Sequence, residues 1–277
     1  MTIRRRTLPP GWYPATAAQT SAAIQGFLDE IPPPPVKNAC AVVAPHAGWE
    51  CSGRTALEAV RCLPSDLETV VVVGGHLSAS DPVMAAGEDA LDTPLGKIAS
   101  DGEMLLALRK ILPLLTDRAA DNTVEIQLPF VKYLFPSARA LYLRAPPALE
   151  AIRLGKGLAA AARDLGRKTG VIGSTDLTHY GPNYGFSPAG GGDRALAWVR
   201  EVNDREFVDR LLEMDAEGAI GHAEENRSAC SAGGAAAAAA FARSRGVKAG
   251  RLVRYLTSHE VYPDESFVGY AAIVFAP

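Results

Sequence analysis

The segment Val70–His76, with the sequence VVVVGGH, decides the fold class of this chain. Four consecutive valines next to glycine are typical of a strand buried on both faces, as in a parallel sheet covered by helices. Similar short apolar runs that lead to polar residues occur at Ala41–His46 and Gly170–His179. Sites in open α/β sheets lie beyond the carboxyl ends of the strands. The residues after these three runs are therefore the first candidates for a functional site.

Strand-like and helix-like segments alternate along the rest of the chain. Further candidate strands cover residues 140–145, 251–258 and 267–275, and candidate helices cover 52–62, 101–112, 123–134, 148–165, 198–214 and 233–245. Residues 82–98 indicate a hairpin-like excursion, and residues 1–36 form an approach segment with a short helix over 21–30. The alternation predicts one domain over residues 1–277, a single-domain α/β/α sandwich around a largely parallel, mixed sheet.

Composition excludes several classes of protein. With 277 residues, 48% of them hydrophobic and 21% charged, the chain has an ordinary globular composition. A net charge of −3 gives no electrostatic reason to expect nucleic acid or an anionic membrane as partner, and the basic run Arg4–Arg6 is interpreted as a solvated arm. We find neither a membrane-spanning apolar stretch nor a signal peptide, so a cytoplasmic location is expected.

Histidine placement indicates a site and favours a metal. Three of the five histidines, His46, His76 and His179, lie at or near the predicted strand ends. Imidazole is the commonest metal ligand and the usual acid or base near neutral pH. Two imidazoles from adjacent strands would face one crevice. The alternative is that each histidine packs at a strand end without a ligand.

Asp176 and His179 are three residues apart. If a helical turn begins here, they share one face, and the carboxylate could orient the imidazole. Alternatively, Asp176 is a helix cap. Tyr180 follows and could close a pocket or simply pack. Farther upstream, Glu125 lies at a probable helix start, where it could hydrogen-bond a ligand imidazole or serve as an N-terminal acid.

Cys230 precedes an alanine-rich predicted helix. A thiolate at a helix N-terminus is stabilised by the helix dipole and free N–H groups. Together with two imidazoles it would provide three protein ligands and leave room for water or substrate. The alternative is a small buried thiol.

In their order along the chain, seven short motifs resemble those of the Memo family, also called AmmeMemoRadiSam system protein B. They are Ala44–Gly53 (APHAGWECSG), Gly74–His76 (GGH), Thr93–Gly96 (TPLG), Val124–Phe130 (VEIQLPF), Ser174–Tyr180 (STDLTHY), Cys230 and Val268–Ala272 (VGYAA). The ordered set covers nearly the whole chain. Two positions depart from the usual family pattern: Asn122 replaces a pocket histidine, and Ser231 replaces the glycine after the cysteine.

The resemblance implies a fold similar to the catalytic subunit of class III extradiol ring-cleaving dioxygenases, which use non-haem Fe(II). It implies that His46, His76 and Cys230 occupy the metal-ligand positions, and that Asp176 and His179 line the same pocket. Further residues that would line the pocket or support the ligands are Glu125, Asn122, Trp49 and Tyr180. The dioxygenases have a carboxylate as third ligand, whereas a thiolate favours softer metals, including copper.

These observations lead to three hypotheses of function. The first is O₂-dependent oxidation of a small aromatic substrate at one metal ion, Fe(II) in preference to copper, with His179 as acid or base and Asp176 orienting it. The second is a non-catalytic metal- or peptide-binding signalling protein that reuses the pocket. The third is a zinc-dependent hydrolase.

Overall fold

A computed structural model describes residues 1–277. The twelve strands are β1 (Ile3–Arg4), β2 (Ala41–Ala44), β3 (Thr69–Gly74), β4 (Met84–Ala86), β5 (Ala90–Leu91), β6 (Ile98–Ala99), β7 (Leu115–Asp117), β8 (Arg139–Arg144), β9 (Thr169–Ser174), β10 (His179–Tyr180), β11 (Gly250–Thr257) and β12 (Phe267–Phe275). The ten α-helices are α1 (Ala17–Glu30), α2 (Arg54–Val60), α3 (Gly102–Ile111), α4 (Asn122–Glu125), α5 (Leu128–Leu134), α6 (Leu149–Asp164), α7 (Asp193–Trp198), α8 (Asp204–Leu212), α9 (Ala216–Asn226) and α10 (Ala232–Ser244).

Nine strands form the central mixed sheet, in the order β10-β12-β2-β9-β3-β8-β4-β7, with β11 paired to β12. Its middle strands β2, β9, β3 and β8 are parallel, and β12 runs antiparallel to β2. A small sheet of β1, β5 and β6 lies apart. The strands predicted around Val42, Val72, Leu141 and Ile172 are confirmed, as is the α/β/α arrangement.

The valine run explains why helices cover both faces of the sheet. Val71 and Val73 belong to one apolar core together with residues of α6 and α10. Val70 and Val72 belong to the opposite core together with residues of α2 and α5. Because successive side chains of a strand point to opposite faces, a run of valines supplies both cores at once.

Helices α6 and α10 pack unusually close together. A Cβ on Gly155 of α6 would lie 2.3 Å from the carbonyl oxygen of Ala237. Residues Ala232–Ala242 of α10 are buried throughout. The alanine run is therefore a packing surface on which only small side chains fit, as well as a sequence with high helix propensity.

Two predicted helices differ in detail from the structure, and one helix of the structure was not predicted. The predicted helix over 198–214 is α8 preceded by a π-helical turn at Val199–Asn203, and the predicted helix over 123–134 is divided into α4 and α5. Helix α9 was not predicted. Its sequence, AEGAIGHAEEN, contains two glycines and few apolar residues, so its periodicity is weak.

The basic run near the N-terminus is not a solvated arm throughout. Strand β1 pairs with β5, and the Arg4 guanidinium donates a hydrogen bond to the Asp117 carbonyl oxygen at 2.9 Å. Arg4 also lies over the Tyr142 ring, 4.2 Å from its centroid. None of the helices has the length and apolar character required to span a membrane.

Candidate metal centre

The candidate site lies at the carboxyl edge of the central sheet. His46, His76 and Asp176 follow the neighbouring parallel strands β2, β3 and β9. The Sγ atom of Cys230 lies 3.1 Å from His46 Nε2, and the His46 and His76 ring centroids are 5.1 Å apart. The structure thus brings Cys230 together with the residues that were predicted from the strand ends.

The donor atoms form two overlapping groups. Those of His46, His76 and Cys230 all lie within 4.8 Å of one another. Those of Asp176, His179 and Cys230 also lie within 4.8 Å of one another. Cys230 belongs to both groups, so its Sγ lies within 4.8 Å of a donor atom of each of the other four residues.

The orientation of the buried His46 ring is set by the end of β9. Its Nδ1 atom lies 3.3 Å from Ser174 Oγ, which accepts a hydrogen bond from Gln127 Nε2 at 3.1 Å. Gln127 also donates to the Pro45 carbonyl oxygen at 2.7 Å. These contacts direct His46 Nε2 toward Cys230. Neither Ser174 nor Gln127 was predicted for this role, because their contacts join segments far apart in the chain.

Asp176 faces two imidazoles. Its Oδ2 atom lies 3.9 Å from His46 Nε2 and 4.0 Å from His179 Nε2. Its Oδ1 atom accepts a hydrogen bond from the His46 backbone N–H at 2.7 Å. No helical turn begins at Asp176, since His179 lies in β10, which pairs antiparallel with β12. Asp176 consequently caps no helix and supports the His46 corner instead.

Cys230 is held by its backbone. Its N–H donates to the Asp176 carbonyl oxygen at 3.2 Å, and the next N–H, that of Ser231, donates to Thr175 Oγ1 at 3.1 Å. Burial, and secondarily the charge of Asp176, raise the pKa of the Cys230 thiol. This shift opposes the stabilisation of a thiolate expected at the start of α10, and a bound cation would favour the thiolate.

Burial also changes the other titratable groups of the site. It lowers the pKa of His46 to about 4, so that this imidazole is neutral near pH 7, as a metal ligand must be. It lowers the pKa of His76 and His179 as well. Burial raises the pKa of Asp176 to about 6.

The donor set fits a transition-metal ion. Two imidazoles and a thiol are borderline and soft ligands, and ligands of one tetrahedral ion lie roughly 3.5 Å apart. The Nε2 atom of His179 is buried and has no hydrogen-bond partner. Leaving a buried nitrogen without a hydrogen-bond partner is costly. His179 Nε2 lies beside the cluster, where a molecule bound to the ion could form a hydrogen bond with it. His46, His76 and Cys230 are the residues that could hold the ion.

Glu125 lies away from the imidazoles. Its Oε2 atom accepts hydrogen bonds from the N–H and the hydroxyl of Thr7, at 2.8 and 2.6 Å. Its Oε1 atom accepts from the Leu8 N–H at 3.0 Å and from the Tyr13 hydroxyl at 2.7 Å. Both oxygens thus hold the N-terminal segment, and the predicted hydrogen bond to a ligand imidazole is not formed.

Two predicted pocket residues are packing residues. Trp49 is buried, stacks on Phe130 with ring centroids 4.1 Å apart, and donates from Nε1 to the Ile126 carbonyl oxygen. Tyr180 is buried too, and its hydroxyl donates to the Gly190 carbonyl oxygen at 2.8 Å. Packing was the alternative that the sequence left open for Tyr180.

Two further residues, Asn122 and Tyr184, lie beside the candidate site. Asn122 donates from Nδ2 to the His46 carbonyl oxygen at 3.3 Å, so its amide contacts the backbone of the site. The Tyr184 ring lies 4.9 Å from the His179 ring. Tyr184 was not predicted, because its neighbours Pro182 and Gly185 indicate only a turn.

The fold and this cluster define an α/β/α protein with a candidate thiol- and imidazole-containing metal site at the edge of its sheet. A family model described as "Memo-like protein" matches residues 4–274, and the chain belongs to the Memo family. It is 34% identical to a "MEMO1 family protein" of Thermococcus onnurineus over 250 residues, which cover 84% of this chain and 85% of the relative. It is 30% identical to a "MEMO1 family protein" of Archaeoglobus fulgidus over 278 residues, 99% of each chain. The family resemblance of the sequence motifs is confirmed.

Proposed function

We propose that this Memo-family protein binds one redox-active metal ion, Fe(II) in preference to copper, and uses it to oxidise a small aromatic substrate in the extradiol manner. The observation that carries the proposal is the approach of donor atoms from His46, His76 and Cys230 to within 4.8 Å of one another. When bound, the ion would supply a Lewis acid and a redox centre for O₂ chemistry.

In this proposal the protein's own groups handle the proton. His179 Nε2 is buried and unpartnered, so it is free to accept a proton from a substrate hydroxyl. Asp176 Oδ2, 4.0 Å away, would stabilise the resulting imidazolium. His46 keeps its orientation throughout, because Ser174 holds its other ring nitrogen.

Metal affinity of Cys230→Ser tests the ligand set. Replacing the sulfur by a hydroxyl removes the soft ligand, and we expect Fe(II) and Cu(I) affinity to fall at least about a hundredfold, as measured by competition with chromophoric chelators. Cys40→Ser is the matched control, because Cys40 precedes the first residue of β2, at the opposite end of that strand from His46, and its thiol donates to the Phe275 carbonyl oxygen. Unchanged tight binding by Cys230→Ser would contradict the proposal.

A second candidate function, metal binding without catalysis, is favoured by Asn122. Its amide donates to the His46 carbonyl oxygen and cannot relay protons as an imidazole does. Oxygen uptake by iron-loaded protein over a panel of catechols separates the two functions. Oxygen uptake that is lost in His179→Asn while the iron is retained supports the extradiol-type oxidation. Iron binding without uptake supports the binding protein, whereas a zinc-loaded native protein that hydrolyses esters contradicts both.

A further inference from the structure

The short helix α4 and its N-cap residue Asp121 support the corner that carries His76. Asp121 Oδ1 caps the helix by accepting the Thr123 N–H at 2.9 Å, and its Oδ2 accepts the His76 N–H in a long hydrogen bond of 3.4 Å. Thr123 Oγ1 accepts the Gly75 N–H at 2.8 Å. Gly75 has a φ of 118°, which L side chains rarely adopt, so this turn needs specific support.

The same turn of helix contacts the second histidine corner. Asn122, between Asp121 and Thr123, donates from Nδ2 to the His46 carbonyl oxygen at 3.3 Å. Three consecutive residues thus bond to the backbones of both candidate imidazole ligands or of their immediate neighbours. A displacement of α4 would therefore disturb the backbones of both histidine corners.

The other end of α4 is fixed by the N-terminal segment. The carboxylate of Glu125 is buried and accepts four hydrogen bonds, two from Thr7, one from Leu8 and one from Tyr13. A carboxylate with four donors is fixed at both oxygens. Since α4 has a single turn, fixing Glu125 also fixes the residues that face the histidines.

A second link runs from the N-terminal strand to Asp121 through ion pairs. Arg4 Nη2 lies 3.3 Å from Asp117 Oδ2, and Arg144 Nη1 lies 3.3 Å from Asp117 Oδ1. Arg144 Nη2 then lies 3.1 Å from Asp121 Oδ2, the oxygen that accepts the His76 N–H. Arg144, Asp117 and Asp121 are buried, so these pairs are little screened by solvent.

We propose that residues 4–13 form a clamp that positions His46 and His76 through α4, so that metal affinity depends on a segment that does not touch the ion. The inference rests on the proposed metal site. The clamp residues are positioning residues: they hold the backbones that set the spacing of the imidazoles. Partners outside the ligand shell typically change metal affinity ten- to a hundredfold when they are removed.

Glu125→Gln tests the clamp with Co²⁺ as the probe. The amide places an NH₂ group against N–H and O–H donors, so the hydrogen bonds to one of the two oxygens are lost. We expect Co²⁺ affinity to fall about tenfold or more, and the ligand-field absorption of the bound Co²⁺ to change because the imidazoles are displaced. A purely structural role would lower the unfolding midpoint and leave both the affinity of the folded protein and its spectrum unchanged.

Asp89→Asn is the matched control. Asp89 Oδ2 accepts the Thr2 N–H at 2.6 Å, so it holds the chain next to β1 without contacting residues 4–13 or α4. We expect wild-type Co²⁺ affinity and spectrum for this variant. Tyr13→Phe, which removes one donor to Glu125 and keeps the ring, is expected to give a smaller loss in the same direction as Glu125→Gln and serves if that variant does not fold.

The outcomes separate the clamp from the metal site itself. Wild-type affinity and spectrum in both Glu125→Gln and Tyr13→Phe would overturn the clamp and leave the proposed metal site standing. An equal loss in Asp89→Asn would also overturn it, because the Asp89 side chain bonds to Met1 and Thr2, outside residues 4–13, and the effect would then not be specific to the clamp. Failure of the wild-type protein to bind Co²⁺ would overturn the proposed function, and the clamp with it.

Discussion

The two sides of the candidate site are held by different kinds of polar interaction. On the histidine side, beside His46 and His76, the Arg144 guanidinium lies between the carboxylates of Asp117 and Asp121. On the opposite side, the segment that carries His179 is held by Asp204, a carboxyl group that forms no ion pair. Both supports are buried, but only one of them contains compensating charges.

The Asp204 side consists of hydrogen bonds alone. Asp204 accepts the Thr178 N–H at 3.0 Å, the Thr178 hydroxyl, and the Tyr255 hydroxyl at 2.8 Å. Asn203 Nδ2 donates to the same Thr178 hydroxyl at 2.8 Å. Gly269 of β12 leaves the space for this carboxyl group, since a Cβ there would lie 1.9 Å from Asp204 Oδ2.

The difference shows how the surroundings of a buried carboxyl group determine what a change does to it. Where a guanidinium is present, removal of that cation leaves charge uncompensated in the interior. Where none is present, burial raises the pKa of the carboxyl group, and that of Asp204 rises to about 7. The first support should therefore be sensitive to mutation, and the second to pH.

Arg144→Met should have the largest effect. The variant keeps most of the side-chain volume but leaves Asp121 without its cation and Asp117 with Arg4 alone. Breaking a buried pair in this way costs about 3–5 kcal/mol, and we expect a loss of that size in the free energy of unfolding measured in urea. Arg153→Met is the control: its side chain is 68% exposed and pairs with Glu150, so a change of about 0.5 kcal/mol or less is expected. Equal losses in the two variants would remove the distinction between the supports.

Much of the fold could be predicted because its signals are local. The valine run of β3 and the glycines after it indicate a buried parallel strand and a turn whatever the rest of the chain does. His46 and His76 could be predicted for the same reason, since each follows such a strand. Cys230 could be predicted from its place before an alanine-rich helix.

The supports of the site could not be predicted because they depend on distant partners. Glu125 resembles an ordinary helix acid, and nothing near it in sequence shows that Thr7 and Tyr13 donate to it. Asp204 resembles a surface residue of an amphipathic helix, yet the π-helical turn at Val199–Asn203 shifts the helical register before it, and the residue is buried. Hydrogen bonds between residues far apart in the chain leave no periodic pattern.

Asp204→Asn should have the next largest effect, and it should depend on pH. The pKa of Asp204 is about 7 in the folded protein and about 3.9 in an unfolded chain. The folded state therefore holds the proton more strongly, and the stabilisation is fully present below pH ~4 and lost as the pH rises through 7. An asparagine does not titrate. The free energy of unfolding of the variant should therefore rise relative to that of the wild type by up to about 4 kcal/mol between pH 4 and pH 8.

Unfolding free energies at several pH values across this range measure the gain. Asp164→Asn is a suitable control, because the Asp164 side chain is 68% exposed and pairs only with its neighbour Arg163. Its difference from the wild type should stay within about 0.5 kcal/mol at every pH. A pH-independent difference for Asp204→Asn would mean that Asp204 does not titrate in this range, and that the two supports behave alike.

Tyr255→Phe should have the smallest effect and sharpens the same comparison. It removes one of the donors to Asp204 and leaves the ring in place, so the free energy of unfolding at pH 8 should fall by about 1 kcal/mol. The hydroxyl stabilises the charged carboxylate more than the neutral acid, so its loss should raise the pKa of Asp204 further.

The pH range over which stability is lost would then move upward relative to the wild type, whereas Tyr255→Phe in the Asp204→Asn background should show no such movement. A shift that persists in the double variant would assign the titration to a group other than Asp204.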